Sequence, residues 1–211
     1  LLDLLLLREK KTKVEIENAR LKQKNSEALY QQLKQQIHPH FLFNSLNTLK
    51  ALINKSPDAA EDYLVTLSGF LRMSVSAGND HMVKTEDELK MCLDYLKMQK
   101  IRYGEALQFH ADIPEEIAQT RFVPFFSLQL LSENAIKHNV LTNETPLQIK
   151  MAYNEGWITV SNNIRPKLTT EATTGTGLIN LADRYKILSG DEIQIHTTAE
   201  QFSVSIKVLK I

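Results

Sequence analysis

Three short clusters hold most of the residues in this chain whose types and spacing could do chemistry. In Pro39-His40-Phe41-Leu42-Phe43-Asn44 the histidine and the closing asparagine stand four apart, one turn along the same face of a helix. A neutral imidazole there can attack phosphorus and form a phosphoramidate that is readily passed on, and Asn44 could bond the ring and select its free nitrogen. A polar pair on the seam of a helix interface fits the same pattern. In Glu133-Asn134-Ala135-Ile136-Lys137-His138-Asn139, Asn134 and His138 are four apart, and Glu133 and Lys137 make the neighbouring pair. A carboxylate and an amide oxygen at that density suit a magnesium ion that keeps most of its waters and bridges phosphates. A solvated ion pair with an asparagine C-cap fits too. Gly175-Thr176-Gly177-Leu178 leads into a segment with Asn180 and Arg184. Glycines let backbone approach a ligand, and a helix start offers N–H groups and partial positive charge to phosphate. Arg184, two turns on, reaches a phosphate or pairs with Asp183 or Asp191.

The elements that must carry these clusters follow from pattern. Residues 8–38 hold no glycine or proline and are rich in helix formers, which predicts one long helix. Its apolar stripe, Val14, Leu21 and Ala28, then Leu29, Leu33 and Ile37, suits a two-chain coiled coil with a register shift near Ala28. Pro39 should kink this helix just before His40, and the helix resumes to about Asn54. KSPD breaks it, with Ser56 a candidate N-cap and Pro57 at the first helical position of a second helix carrying Ala60, Leu64, Leu67, Leu71 and Val75. Two helices joined so closely pack as an antiparallel hairpin, and two copies make a four-helix bundle. After SAGND a mixed domain begins: a helix from Glu86 to Arg102 opened by Thr85, a strand in LQFHADI, and a buried helix from about Pro124. Two hairpins turn at Asn154-Glu155-Gly156 and Ala199-Glu200-Gln201, and the GLINLADRYKILSG helix lies between them. This is α+β: a helical N-terminal part, then an α/β sandwich with helices on one face of a mixed sheet.

Composition removes several classes. Lysine plus arginine equals aspartate plus glutamate at 25 each, so no global field argues for nucleic acid. Cys92, the one cysteine, excludes an intramolecular disulfide and a cysteine-rich zinc site, and reads as a core residue. His81, His110 and His196 show no metal-ligand spacing. His38 is the rival to His40, but it sits about 200° round the helix from it, so only one can face an incoming phosphate. The opening LLDLLLL, followed by Arg8, Lys10, Lys11 and Lys13, looks like the cytoplasmic end of a transmembrane helix. A membrane sensor region is therefore expected upstream of this chain.

In order and wording, HPHFLFNSLN, SLQLLSENAIKHN and GTGLINLADR resemble the LytS/YehU-type histidine kinases, whose catalytic domain belongs to the GHKL ATPase superfamily. The resemblance runs from about Gln31 to the C-terminus. It implies a Bergerat-type sandwich, a dimer through the histidine-bearing hairpin, ATP and Mg as cofactors, and His40 as phosphoacceptor. It further implies Asn134 as the magnesium ligand, Glu133 near the transferred phosphate, and Lys137 and His138 as phosphate neighbours. Gly175, Gly177 and Leu178 would close on the ATP phosphates. Two departures stand out. The adenine-reading aspartate of the family falls in VSNNIRP, where Asn162 occupies it with no following glycine. Phe41 follows His40 where many histidine kinases carry an acid.

The expected organisation is a signalling helix over 1–30, a dimerisation and histidine phosphotransfer hairpin over 31–80, and an ATP-binding catalytic domain over 81–211. The function this implies is ATP-dependent autophosphorylation of His40 in the cytoplasmic portion of a bacterial inner-membrane sensor, then transfer to an aspartate of a response-regulator receiver. Arg184 is counted with the nucleotide contacts. Two other readings remain open: a non-catalytic dimeric scaffold, which the Asn162 departure would suit, and a GHKL-type ATPase that uses the helices only to dimerise.

Overall fold

The computed structural model describes residues 39–76, 82–167 and 176–210. The expected coiled coil, both expected domain boundaries, and the polar stretch from Leu168 to Gly175 lie outside these residues. The chain divides into two units, Leu1–Asn44 and Ser45–Ile211. In the first, the described backbone is helical from Pro39 and carries His40 in its opening turn.

That helix, α1 (Pro39–Lys55), and α2 (Pro57–Ser76) are separated by Ser56 alone. Pro57 takes the first helical position, where its missing N–H costs nothing. The buried face of α2 is Ala60, Tyr63, Leu67, Phe70 and Ser74, rotated from the aliphatic row expected, and Leu64 is exposed. The aromatics decide the orientation: Phe70 lies 6.3 Å, centroid to centroid, from Tyr95 of the next helix. Burying two rings outweighs burying leucines that have no facing element.

β1 (Met82–Lys84) leads into α3 (Thr85–Tyr103), whose first turn is acidic and last turn basic, as the helix dipole favours. Thr85, expected to open the helix, is its first helical residue. Gly104, at φ 56°, ends α3, and its N–H reaches the Lys100 carbonyl. A turn of 3-10 helix, Gly104–Ala106, then feeds β2 (Leu107–Asp112), and α4 (Glu115–Thr120) follows.

The segment expected to be helical from Pro124 begins instead as β3 (Phe122–Pro124), antiparallel to β1. The chain turns at Phe125-Phe126 and α5 runs Ser127–His138. A proline that supplies no N–H is tolerated at the end of a short edge pairing, which explains the shift.

β4 (Leu147–Asn154) and β5 (Trp157–Asn163) form the expected hairpin, turning through Glu155 at φ 44° and Gly156 at φ 88°. After α6 (Thr176–Ser189) come β6 (Gln194–Thr197) and β7 (Gln201–Lys207). The five-stranded sheet has the order β2-β4-β5-β7-β6, with β2 parallel to β4 and the other pairs antiparallel. It is mixed, as expected. Its covered face presents Leu147, Ile149, Met151, Ile158, Val160, Val204 and Ile206 to the helix layer, while the alternate residues face outward, the period-2 pattern of a one-sided sheet. Among the described residues no helix is long and apolar enough to cross a membrane.

Ile158 is fully buried at the centre of this sheet. Ile158→Ala should lower unfolding free energy by about 2–5 kcal/mol, the range for truncating a core isoleucine, measured by denaturant titration.

Candidate functional site

The polar stripe of α5 is set by what its other face buries. Leu128, Leu131, Ser132, Ala135 and Ile136 are buried, and α5 packs on β4 and β5. Helical period then turns Leu130, Glu133, Asn134, Lys137 and His138 outward together. Four of the expected site residues therefore share one face. His138 has its pKa held below the usual histidine value by partial burial and by the nearby Lys137 and Lys167 charges, which favours a neutral ring.

Both ends of α5 are anchored. At its start Phe126 is left-handed, with φ 63° and ψ 18°, and no side chain of the entering segment caps the helix. The acceptor comes from α3. Glu88 is fully buried; its Oε2 accepts the Phe126 N–H at 2.8 Å, and Oε1 accepts those of Leu128 and Gln129 at 2.9 and 3.3 Å. Burial pushes the Glu88 carboxyl up to about 7, although the three N–H donors and Arg184 pull the other way. Cys92, buried as expected, adds a second tie: its Sγ lies 3.2 Å from the Ser132 hydroxyl.

At its end, Asn139 caps the helix: Nδ2 donates to the Ala135 carbonyl at 2.8 Å and Oδ1 accepts the Arg165 N–H at 2.6 Å. Lys167 donates from Nζ to the carbonyls of Ile136 and Lys137 at 3.2 and 2.9 Å, placing a cation where the dipole is negative. The strand leaving β5 is thus stitched to the end of the Asn134 helix.

The third cluster meets the second. A Cβ built on Gly177 would lie 3.3 Å from Leu130 Cδ1 and 3.8 and 3.9 Å from the two amide atoms of Asn134. The start of α6 therefore lies against the Asn134 side chain, and only glycine allows that approach without displacing Leu130. Leu178 is half-buried beside it. Gly175 lies outside the described residues.

Asn162 is buried on the helix-facing side of β5, in register with Ile158 and Val160, and its Nδ2 donates to the Asn163 carbonyl at 2.8 Å. Arg184 takes neither acidic partner expected of it. Its Nη1 donates to the Phe125 carbonyl, while Asp191 pairs with Lys207 at 2.7 Å. The guanidinium thus serves the entry to α5.

These residues fit a hydrated magnesium with phosphates better than a protein-caged metal. Among the described residues no group of three or more His, Cys, Asp and Glu could hold an ion. One amide oxygen at Asn134, beside a glycine-opened helix start, leaves coordination positions for water and phosphate oxygens. A groove of about 650 Å³, lined in part by Gln148, Lys150, Ser161, Asn163, Arg165 and Glu200 and bordered also by Asn162, opens away from Asn134. Those strand residues alternate with buried Ile149 and Val160, so the groove is on the helix-free face, opposite α5.

Glu88 and Lys167 were not singled out from sequence. Glu88 had a readable signal: an acid in helical register with Cys92, Tyr95 and Met91, where an apolar residue belongs. Lys167 sits in a polar stretch whose pattern carries no such mark.

The family model described as Histidine kinase matches residues 28–107. The sensor protein LytS of Streptococcus agalactiae serotype V is 34% identical over 187 residues, covering 80% of this chain and 32% of that protein. The sensor histidine kinase YpdA of Escherichia coli K12 is 27% identical over 198 residues, covering 87% of this chain and 35% of that one. The chain thus spans about a third of the length of these relatives. A solved Acinetobacter baumannii histidine kinase, AdeS, superposes at a TM-score of 0.39 with 14% identity over 79% of this chain and 94% of that one, too loosely to argue from.

Glu88→Gln places an amide where three N–H groups need acceptors, and each donor left unmatched should cost about 1–3 kcal/mol. The wild type's advantage over this variant should shrink with pH. The unfolded carboxyl loses its proton near 4.5 and the folded one near 7, so protonated-state stability fades as pH rises across that window. Thermal melts of both proteins from pH 4 to 8 read the difference.

Proposed function

The chain belongs to the LytS-type sensor histidine kinases, and from that premise we propose that it transfers the γ-phosphoryl group of ATP to His40 and then to an aspartate of a response-regulator receiver. The observation that carries the nucleotide half of this reading is the approach of the Gly177 backbone to the Asn134 amide. Two clusters 43 positions apart in sequence meet there, and each alone suits phosphate or magnesium.

Asn134 would hold magnesium, which would keep waters at its other positions and when bound supplies charge neutralisation to the phosphates. The start of α6 offers its N–H groups to the same phosphates, with Gly175, Gly177 and Leu178 closing on them. Lys137 on the exposed stripe meets negative charge as it moves to the leaving oxygen, with Glu133 and a neutral His138 beside it. Asn162, deep on the helix-facing side of the sheet, reads the adenine amine through its amide oxygen. His40 is the nucleophile, and catalysis is positioning and electrostatics.

The partner calls rest on the helices. Leu46 and Ile53 on α1, one heptad apart, and Leu64 and Val65 on α2 are exposed although aliphatic. A second copy covering them would give the homodimeric four-helix bundle. The protein would be the cytoplasmic portion of a bacterial inner-membrane sensor, with no nucleic-acid partner. Asn162 is the specific observation that keeps a non-catalytic scaffold in view, since an amide stands where the family carries a carboxylate.

Incubation with γ-labelled ATP and magnesium tests the reading. Wild type should acquire acid-labile, base-stable label, and His40→Gln should acquire none. Asn134→Ala should slow labelling on the order of 100-fold, the scale for losing one preorganised polar group at a transferring phosphoryl. Nucleotide binding without label points to the plain ATPase, and neither binding nor label to the scaffold. Gly177→Ala should weaken Mg-ATP binding by about tenfold, a cost of ~1.4 kcal/mol, read by titration.

A further inference from the structure

The entry to α5 is held from two sides, by Glu88, to which the proposed chemistry gives no task, and by Arg184, which it counts only among the nucleotide contacts. Phe126 is a bulky residue at φ 63°, a conformation that persists only where its surroundings over-determine it. From α3, Glu88 takes the N–H groups of Phe126, Leu128 and Gln129. From α6, Arg184 takes the carbonyl of Phe125, one residue before the strained position. The two side chains feel each other's charge.

Arg184 also completes a second geometry. Near its beginning α6 touches α5 at Gly177, against Leu130 and Asn134, and two turns later it touches Phe125, two residues before α5, through Arg184. The two helices therefore run antiparallel and are pinned at both ends of their contact. A displacement of α6 along its axis pulls on the Phe125 carbonyl, and the same peptide unit carries the Phe126 N–H that Glu88 holds. Glu88 sits on α3, whose Tyr95 lies against Phe70 of α2.

We propose that Glu88 and Arg184 form a clamp across the Phe125-Phe126 turn that positions Asn134 and couples the seating of α6 to α3. Both are positioning residues. The coupling to nucleotide rests on the reading under Proposed function, whereas the clamp itself does not.

The test uses the full chain and four variants: Arg184→Met, Arg184→Lys, Glu88→Gln, and Glu88→Gln with Arg184→Met. Amide hydrogen exchange without nucleotide is followed at Phe126, Leu128 and Gln129 and over the first turns of α6, and Mg-ADP affinity is titrated. Arg184→Met should speed exchange at the start of α5 and weaken Mg-ADP binding, each by about tenfold, and Glu88→Gln should speed exchange in α6. Arg184→Lys keeps one donor and the charge, so it should return both readouts to within about threefold of wild type. The double variant should be no worse than the worse single one, the mark of a shared interaction. Variants that melt lower yet keep wild-type exchange in the opposite helix would overturn the clamp, as would fully multiplicative effects. If Glu88→Gln does not fold, the two Arg184 variants decide by their exchange at α5. If wild type binds no Mg-ADP, the proposed function fails, and exchange alone judges the clamp.

Discussion

Satisfying the buried start of α5 is the constraint on which the candidate site depends. A helix beginning in the interior brings N–H groups that have no partner in the helix and no water to meet them. Ser127, Leu128 and Gln129 are all buried. The entering segment has no cap of its own, because proline, two phenylalanines and a left-handed turn precede the helix. One carboxylate from α3 meets the need. Taking that acid out of water raises its pKa to about 7, so the solution carries its own electrostatic cost. What the arrangement secures is the rotation and height of α5, and with them the direction of Glu133, Asn134, Lys137 and His138.

The other end of α5 is held by different means and to a different element. Asn139 and Lys167 together satisfy the last carbonyls, and both link α5 to the chain that has just left β5. Val140 adds a backbone bond to the Arg165 carbonyl at 2.7 Å. The polar stripe is thereby fixed relative to the sheet, and so relative to Asn162 at the end of β5. A site assembled from a helix, a strand end and a second helix start needs this kind of cross-bracing, since none of those elements fixes the others by sequence proximity.

Much of this was legible in the residues. The period-2 runs around Asn154-Glu155-Gly156 marked a hairpin, and a turn needing two positive φ values explains why glycine stands there. The spacing of Glu133, Asn134, Lys137 and His138 placed them on one helical face. Other features were hidden for physical reasons. Pro124 reads equally as a first helical residue and as the end of an edge strand, and only pairing with β1 decides between them. Phe70 draws the buried face of α2 round because α3 offers it Tyr95, a tertiary fact that the leucine row cannot report. Arg184 looked like the ion-pair partner of a neighbouring acid because the acceptor it meets, the Phe125 carbonyl, is 59 residues away.

The amide at Asn162 is locally consistent where a carboxylate would not be. Its Nδ2 donates to the Asn163 carbonyl at 2.8 Å; an aspartate in that pose would set oxygen against oxygen. Asn163 is occupied in turn, accepting the Gln148 N–H at 2.8 Å and donating to the Pro146 carbonyl at 3.0 Å, which completes the entry to β4. Ile164 follows where a glycine would be expected, and its N–H bonds the Glu200 carbonyl at 2.9 Å, so the backbone continues as ordinary extended chain. With one amide N–H committed, Asn162 has Oδ1 to offer a base, and an amide oxygen accepts the same exocyclic amine that a carboxylate does. The difference lies in strength, since bonds to an ionised acceptor are roughly twice as strong as neutral ones. Under the proposed function, recognition at this position would keep its direction while depending less on charge, and more of the burden of holding a nucleotide would fall on Asn134, Gly177 and the helix ends that the rest of the fold braces.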